Sequence, residues 1–203
     1  YNDVPNVPKG VEVCDARDVL PTEEFITHTN SGSVAPHADK FRYLMLAKHP
    51  DIIWADTDAY CVRPFTTKND HFHGWSGPDE INVGVLRLPA SGKVLTDLIK
   101  LTDDPYNIPP WLPKWKRKEL QSAKDAGKPQ HAGEMEWGIW GPHALTWFCS
   151  TIIRQSIHCH SPLFILFPLN IAACWRDQSR ISTNFSMTQH IQFIFTDGAC
   201  EDL

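Results

Sequence analysis

The stretch from Ala38 to Asp58 constrains this chain more than any other. The apolar run Ile52-Ile53-Trp54-Ala55 is too short for a helix, and its β-branched and aromatic content predicts a buried strand. Ahead of it, Ala38-Asp39-Lys40-Phe41-Arg42-Tyr43-Leu44-Met45-Leu46-Ala47-Lys48 has no internal glycine or proline. Its apolar positions, with Pro36 near the start, predict an amphipathic helix over 36–48. The strand then ends in Asp56-Thr57-Asp58, and strand periodicity sends two such carboxylates to one face. Paired hard oxygen donors above a sheet edge suit a divalent cation, Mg²⁺ or Mn²⁺, held against a diphosphate. Asp39 and Arg42 share a helix face. Taken alone they are a solvated ion pair of small worth; feeding into the acidic strand end, they join a candidate site.

Elsewhere the pattern alternates between the two periods. Val11-Glu12-Val13 reads as a short strand, and 81 to 88 as a strand through Ile81, Val83 and Val85. Ser91 is placed to cap a helix through Leu101, with Val94, Leu95, Leu98 and Ile99 as its apolar stripe. Strands alternating with helices predict an α/β fold with a mainly parallel sheet flanked by helices. In such sheets ligands sit at the carboxyl ends of strands, where Asp56 and Asp58 fall. Residues 103–133 break the pattern as a Pro/Trp-rich insertion. Pro105, Pro109, Pro110 and Pro113 forbid regular structure, and Lys114-Trp115-Lys116-Arg117-Lys118 opens a polar helix that runs to Ala126. Basic residues beside tryptophans suit an acceptor or a peripheral contact with an anionic membrane; equally, the tryptophans could staple a surface insertion to the core.

As an ordered set these segments resemble a known family. Ala38-Asp39-x-x-Arg42, the strand end Asp56-x-Asp58, and Arg63-Pro64-Phe65 are similar to the retaining glycosyltransferases with a DXD sugar region. That group includes α-1,4-galactosyltransferases, initiating α-1,6-mannosyltransferases and bacterial capsular polysaccharide synthesis enzymes. Asn82-Val83-Gly84-Val85-Leu86-Arg87-Leu88-Pro89, Trp137-Gly138-Ile139-Trp140-Gly141-Pro142-His143, Phe167-Pro168 and Thr188-Gln189-His190 extend the likeness. Where that family carries two glycines ahead of the acidic strand, this chain has His49-Pro50-Asp51, which predicts a rebuilt turn. The resemblance implies a GT-A-like (Rossmann-like) sheet, one catalytic domain over 1–203, and a chain lacking its first strand-helix unit. It also implies transfer of a hexose, galactose first, from a UDP-sugar or a GDP-sugar to a glycan or glycolipid hydroxyl, with anomeric retention. Asp56 and Asp58 become the catalytic metal ligands, joined by His190, whose nitrogen tilts the preference toward Mn²⁺. Asp39, Arg42 and Asn82 become donor-binding residues, and Glu136, Trp137 and Trp140 acceptor-binding ones, with Glu134 in the same turn. The implied location is the cytoplasm or the cytoplasmic membrane surface, or the Golgi lumen in a eukaryote.

Two other readings stand beside this one. A sugar-binding pseudoenzyme of the same fold fits the altered turn at Pro50. A zinc hydrolase could draw on His71-Phe72-His73 and His158-Cys159-His160, although neither pair has the helical spacing of a zinc protease. Net charge is −5, which gives no electrostatic footprint for nucleic acid. No apolar stretch reaches the roughly 18 residues of a membrane span. The six cysteines lack metal-ligand spacing and read either as small buried residues or as disulfides of an oxidising lumen.

Overall fold

The structure, a computed structural model, describes residues 1–22, 24–61, 70–158 and 193–196. Its first long helix, α1, spans Ala35–Lys48. Pro36 sits in the opening turn, where a missing N–H leaves no bond unmade. The helix stops because His49 precedes a proline and is pushed out of the helical region (φ −126°, ψ 87°), while its N–H still donates to the Met45 carbonyl at 2.9 Å. A short turn through Pro50 then delivers the chain into β1, Ile52–Ala55, buried along its whole length.

Two further strands form a hairpin: β2, Phe72–Trp75, and β3, Ile81–Arg87. The turn between them is closed by the Ser76 N–H donating to the Glu80 carbonyl at 3.0 Å, and a bulge interrupts the ladder between His73 and Gly74. The helices α2, Lys93–Asp103, α3, Lys114–Asp125, and α4, Pro142–His158, follow, and then β4, Phe193–Thr196. The sheet order is β2-β3-β1-β4. Helices α1, α2 and α4 pack on one another, with α1 against β1 and α4 against β3. Trp54, Tyr43, Leu46, Leu86, Leu95, Leu98 and Leu145 fill the space between.

The α/β character holds, but the described sheet differs from the mainly parallel one expected. All three of its ladders are antiparallel. Parallel neighbours need a long crossover, commonly a helix; here β2 and β3 are joined by a tight turn, and all three later helices come after β3. Val11-Glu12-Val13 forms no strand: the segment is extended and exposed, with no described neighbour to supply a ladder. Ser91 does not cap α2 either, since Gly92 holds the N-cap position with extended backbone.

The Pro/Trp-rich segment is partly stapled. Pro109 and Leu120 are buried, Trp111 packs edge-on against Phe148 at 6.3 Å, and Lys124 ties α3 to Asp104 at 3.1 Å. No helix among the described residues is long and apolar enough to cross a membrane. Cys14 is exposed and Cys149 half-buried, its thiol pushed up to about 11 by burial; Cys159, Cys174 and Cys200 lie outside the described residues.

Leu98, fully buried where α2 meets the core, should lose about 2–5 kcal/mol on Leu98→Ala in urea unfolding. Val13→Ala should stay within roughly 0.5 kcal/mol of the parent, because no core depends on it.

Candidate functional site

Antiparallel order gathers three chain ends at one rim: the carboxyl ends of β1 and β2 and the amino end of β3. The start of α4 joins them. Thr146 Oγ1 accepts the Ile81 N–H at 2.9 Å, and His143 Nε2 lies 3.5 Å from Glu80 Oε1. Asp56 stands at this rim. Its N–H donates to the Gly84 carbonyl at 2.7 Å, which keeps it in register with β3. The Ala59 N–H then donates to the Asp56 carbonyl at 2.9 Å, so the chain turns at once.

That turn changes the expected carboxylate pair. Asp58 lies on an exposed turn rather than on the strand, so strand periodicity does not assign it the face of Asp56. Asp56 is partly buried and held from two sides. Its Oδ1 accepts from Trp54 Nε1 at 2.7 Å and from Arg42 Nη2 at 3.0 Å. Arg42 Nη1 donates to Asp39 Oδ1 at 2.9 Å, and its guanidinium lies 4.7 Å from the centroid of the Trp54 ring, within cation–π range.

Asp39 and Arg42 are therefore not a solvated pair: they are 6% and 4% exposed. Burial pushes the Asp39 carboxyl up to about 6; the attraction of Arg42 opposes this and the nearby charge of Asp56 reinforces it. With both terminal nitrogens of Arg42 committed to carboxylates, its expected phosphate contact gives way to a positioning role. Asp39, covered by protein, likewise orients Arg42 rather than meeting sugar hydroxyls. Two glycines make room for this cluster. A Cβ on Gly141 would sit 2.8 Å from Asp39 Oδ2, and one on Gly84 would sit 3.2 Å from Asp56 Oδ2 and 2.9 Å from Asn82 Oδ1. Asn82 Oδ1 accepts the Gly84 N–H at 2.6 Å, leaving its amide nitrogen for a ligand.

The acceptor candidates separate. Trp137 is 52% exposed and meets His28 edge-on at 5.4 Å, and Glu136 beside it is exposed. Trp140 is 1% exposed and belongs to the core; the Tyr43 hydroxyl donates to its carbonyl at 2.7 Å, so it offers no face to a sugar. Glu134 is used locally, its carboxylate accepting the His131 N–H in a capping box. His71 and His73 flank Phe72 on β2 and sense one another's charge, with burial lowering the pKa of His73. His158 ends the described part of α4, and His160 and His190 lie outside the described residues, as do Arg63-Pro64-Phe65, Phe167-Pro168 and Thr188-Gln189.

Among the described residues no three His, Cys, Asp or Glu side chains converge to hold a metal. Asp56 Oδ2 and the Asp58 carboxylate are the oxygen donors available at the rim. One or two carboxylates completed by substrate phosphate oxygens is a normal Mg²⁺ arrangement, so the donor set fits a cation shared with a diphosphate. Trp54, Gly84 and Gly141 were not singled out in the sequence as site residues; a glycine inside a β-branched strand, Val83-Gly84-Val85, is the available signal of a close approach. Compared with family models, with curated proteins and with solved structures, the chain finds no significant match in any of the three.

The raised pKa of Asp39 fixes the sign of a pH effect. Between its unfolded value of 3.8 and about 6 the folded state binds more protons than the unfolded one. This group's contribution is therefore fully present below about pH 4 and is lost as pH rises to about 6, by at most roughly 3 kcal/mol. Urea unfolding from pH 4 to 7 should show the parent losing stability relative to Asp39→Asn, which keeps an oxygen acceptor for Arg42 without titrating. A flat difference would mean that Arg42 holds Asp39 ionised throughout.

Proposed function

We propose that this chain is a glycosyltransferase domain that moves a hexose, galactose first, from a nucleotide diphosphate sugar to a glycan or glycolipid hydroxyl. The observation that carries the reading is the buried Asp39–Arg42–Asp56 chain of ion pairs, which ends in a carboxylate oxygen at the sheet rim beside the exposed Asp58. Such transfer needs stabilisation of the charge that grows on the departing diphosphate. A bound Mn²⁺ or Mg²⁺ would supply Lewis-acid stabilisation of that charge, with Asp56 and Asp58 as its protein ligands and His190 as a third candidate.

The chain's own contribution is orientation. Trp54 Nε1 and Arg42 Nη2 hold one oxygen of Asp56, so the other keeps a fixed direction before a donor arrives. The Asn82 amide nitrogen supplies a sugar contact, while exposed Trp137 and Glu136 supply an apolar face and an acceptor for hydroxyl protons. Retention of configuration, a UDP- or GDP-linked donor, and a GT-A-like, mainly parallel sheet extending beyond the described antiparallel strands complete the proposal.

The test is thermal unfolding with Mn²⁺ and UDP or GDP, alongside Mn²⁺-dependent hydrolysis of UDP- and GDP-sugars. At a hundredfold excess over Kd the nucleotide should stabilise the chain by about 2.7 kcal/mol. Asp58→Ala should abolish that gain and leave the unliganded melting temperature unchanged, because Asp58 is exposed and pairs with no other described residue. Metal-supported nucleotide protection that survives Asp58→Ala would sink the proposal. Glycan binding with no metal effect would instead identify a sugar-binding domain without transfer activity.

A further inference from the structure

The side of the molecule formed by the 104–113 segment and α3 carries a second feature, unrelated to the sheet rim. A groove of about 510 Å³ is lined by Ile108, Pro110, Lys114, Arg117, Lys118 and Gln121. The four α3 residues follow helical spacing, so three cations and an amide form one stripe along a wall. The Arg117 Nε is fixed by donating to the Leu112 carbonyl at 3.0 Å, which leaves its terminal nitrogens to the groove. Lys114 and Lys118 form no ion pair with another described residue.

The electrostatics are unbalanced in a telling way. Lys114, Lys116, Arg117 and Lys118 stand in a chain of net charge −5, so this is a local concentration of positive charge. They also occupy the amino-terminal turn of a helix with no acidic residue there and no side-chain cap, where the helix dipole disfavours cations. Only an external anion relieves both strains. Beside the stripe, Trp115 is 69% exposed, with an indole of the type that settles at the headgroup level of a bilayer. Ile108 and Pro110 give the groove an apolar floor next to its cations.

We propose that α3 and the 104–113 segment dock this protein on an anionic phospholipid surface, with Lys114, Arg117 and Lys118 receiving headgroup phosphates and Trp115 inserting at the interface. The lysines supply attraction that reaches about a Debye length, so the contact is reversible and salt-sensitive. The indole adds a short-range anchor that salt does not screen. The docked face belongs to α3 and is independent of Asp56 and Asp58, so the contact does not require the transferase reading.

Flotation with vesicles of phosphatidylcholine alone and with added phosphatidylserine tests it, using the full chain. Binding is expected only with the anionic lipid and should fall steeply between 50 and 500 mM NaCl. Lys114→Gln combined with Lys118→Gln, both exposed, should weaken it about thirtyfold while leaving the melting temperature unchanged. Trp115→Ala should weaken it with the salt slope retained. Equal binding to neutral and anionic vesicles, or full binding by the double variant, overturns the proposal. So does failure to bind either vesicle while inorganic phosphate stabilises the parent but not the double variant, because the groove would then be a small-anion site.

Discussion

A single guanidinium, buried between two carboxylates and stacked on an indole, organises the half of this molecule that matters for function. Arg42 reaches Asp39 on its own helix and Asp56 at the end of β1, so it joins the helix to the strand through charge as well as packing. Burying three charges is unfavourable unless each is compensated. Here the fork geometry of arginine bonds two carboxylates at once, and the Trp54 ring supplies a further attractive surface. The cluster still carries one more acid than base. That surplus falls on Asp39, the most enclosed member, which is why its carboxyl holds a proton more tightly than usual.

The cluster also explains features that look unrelated in the sequence. Gly141 must lack a side chain because Asp39 occupies that space, and Gly84 must lack one because Asp56 and Asn82 do. Tyr43, one position after Arg42, donates to the carbonyl of Trp140, which precedes Gly141, and so fixes the glycine turn against the helix. One buried arginine thus sets constraints on three separated stretches of chain.

Helix 36–48 and strand 52–55 were legible because a long periodic stretch and a short bulky run leave little choice of local structure, and both stand within a residue of where they were expected. Strand direction was not legible. β2 mixes His73, Gly74 and Trp75, half-exposed or exposed, so it lacks the apolar alternation that would have marked a hairpin arm before Ile81. The burial of Asp39 and Arg42 was hidden for another reason. Their spacing fits a solvated helical pair equally well, and what covers them, Gly141 among it, lies far along the chain. Trp54 read as apolar filling, which its ring is, but its one polar atom reaches Asp56.

The roles at the site consequently run in a different order from the motif. Residues expected to touch a ligand, Asp39 and Arg42, are enclosed and do the holding; Asp56 is held, and Asp58 faces solvent on its turn. An oxygen fixed by buried partners does not have to reorganise when charge arrives next to it, and such preorganisation is where electrostatic stabilisation is strongest. A freely rotating carboxylate pair on a strand tip would lose that advantage to water. The antiparallel sheet contributes directly, because only reversed neighbours bring Asn82 and the Glu80 turn to the end of β1 where Asp56 stands. Fold and chemistry therefore depend on the same buried contact: without Arg42 spanning from α1 to β1, neither the register of the strand end nor the direction of its carboxylate is fixed.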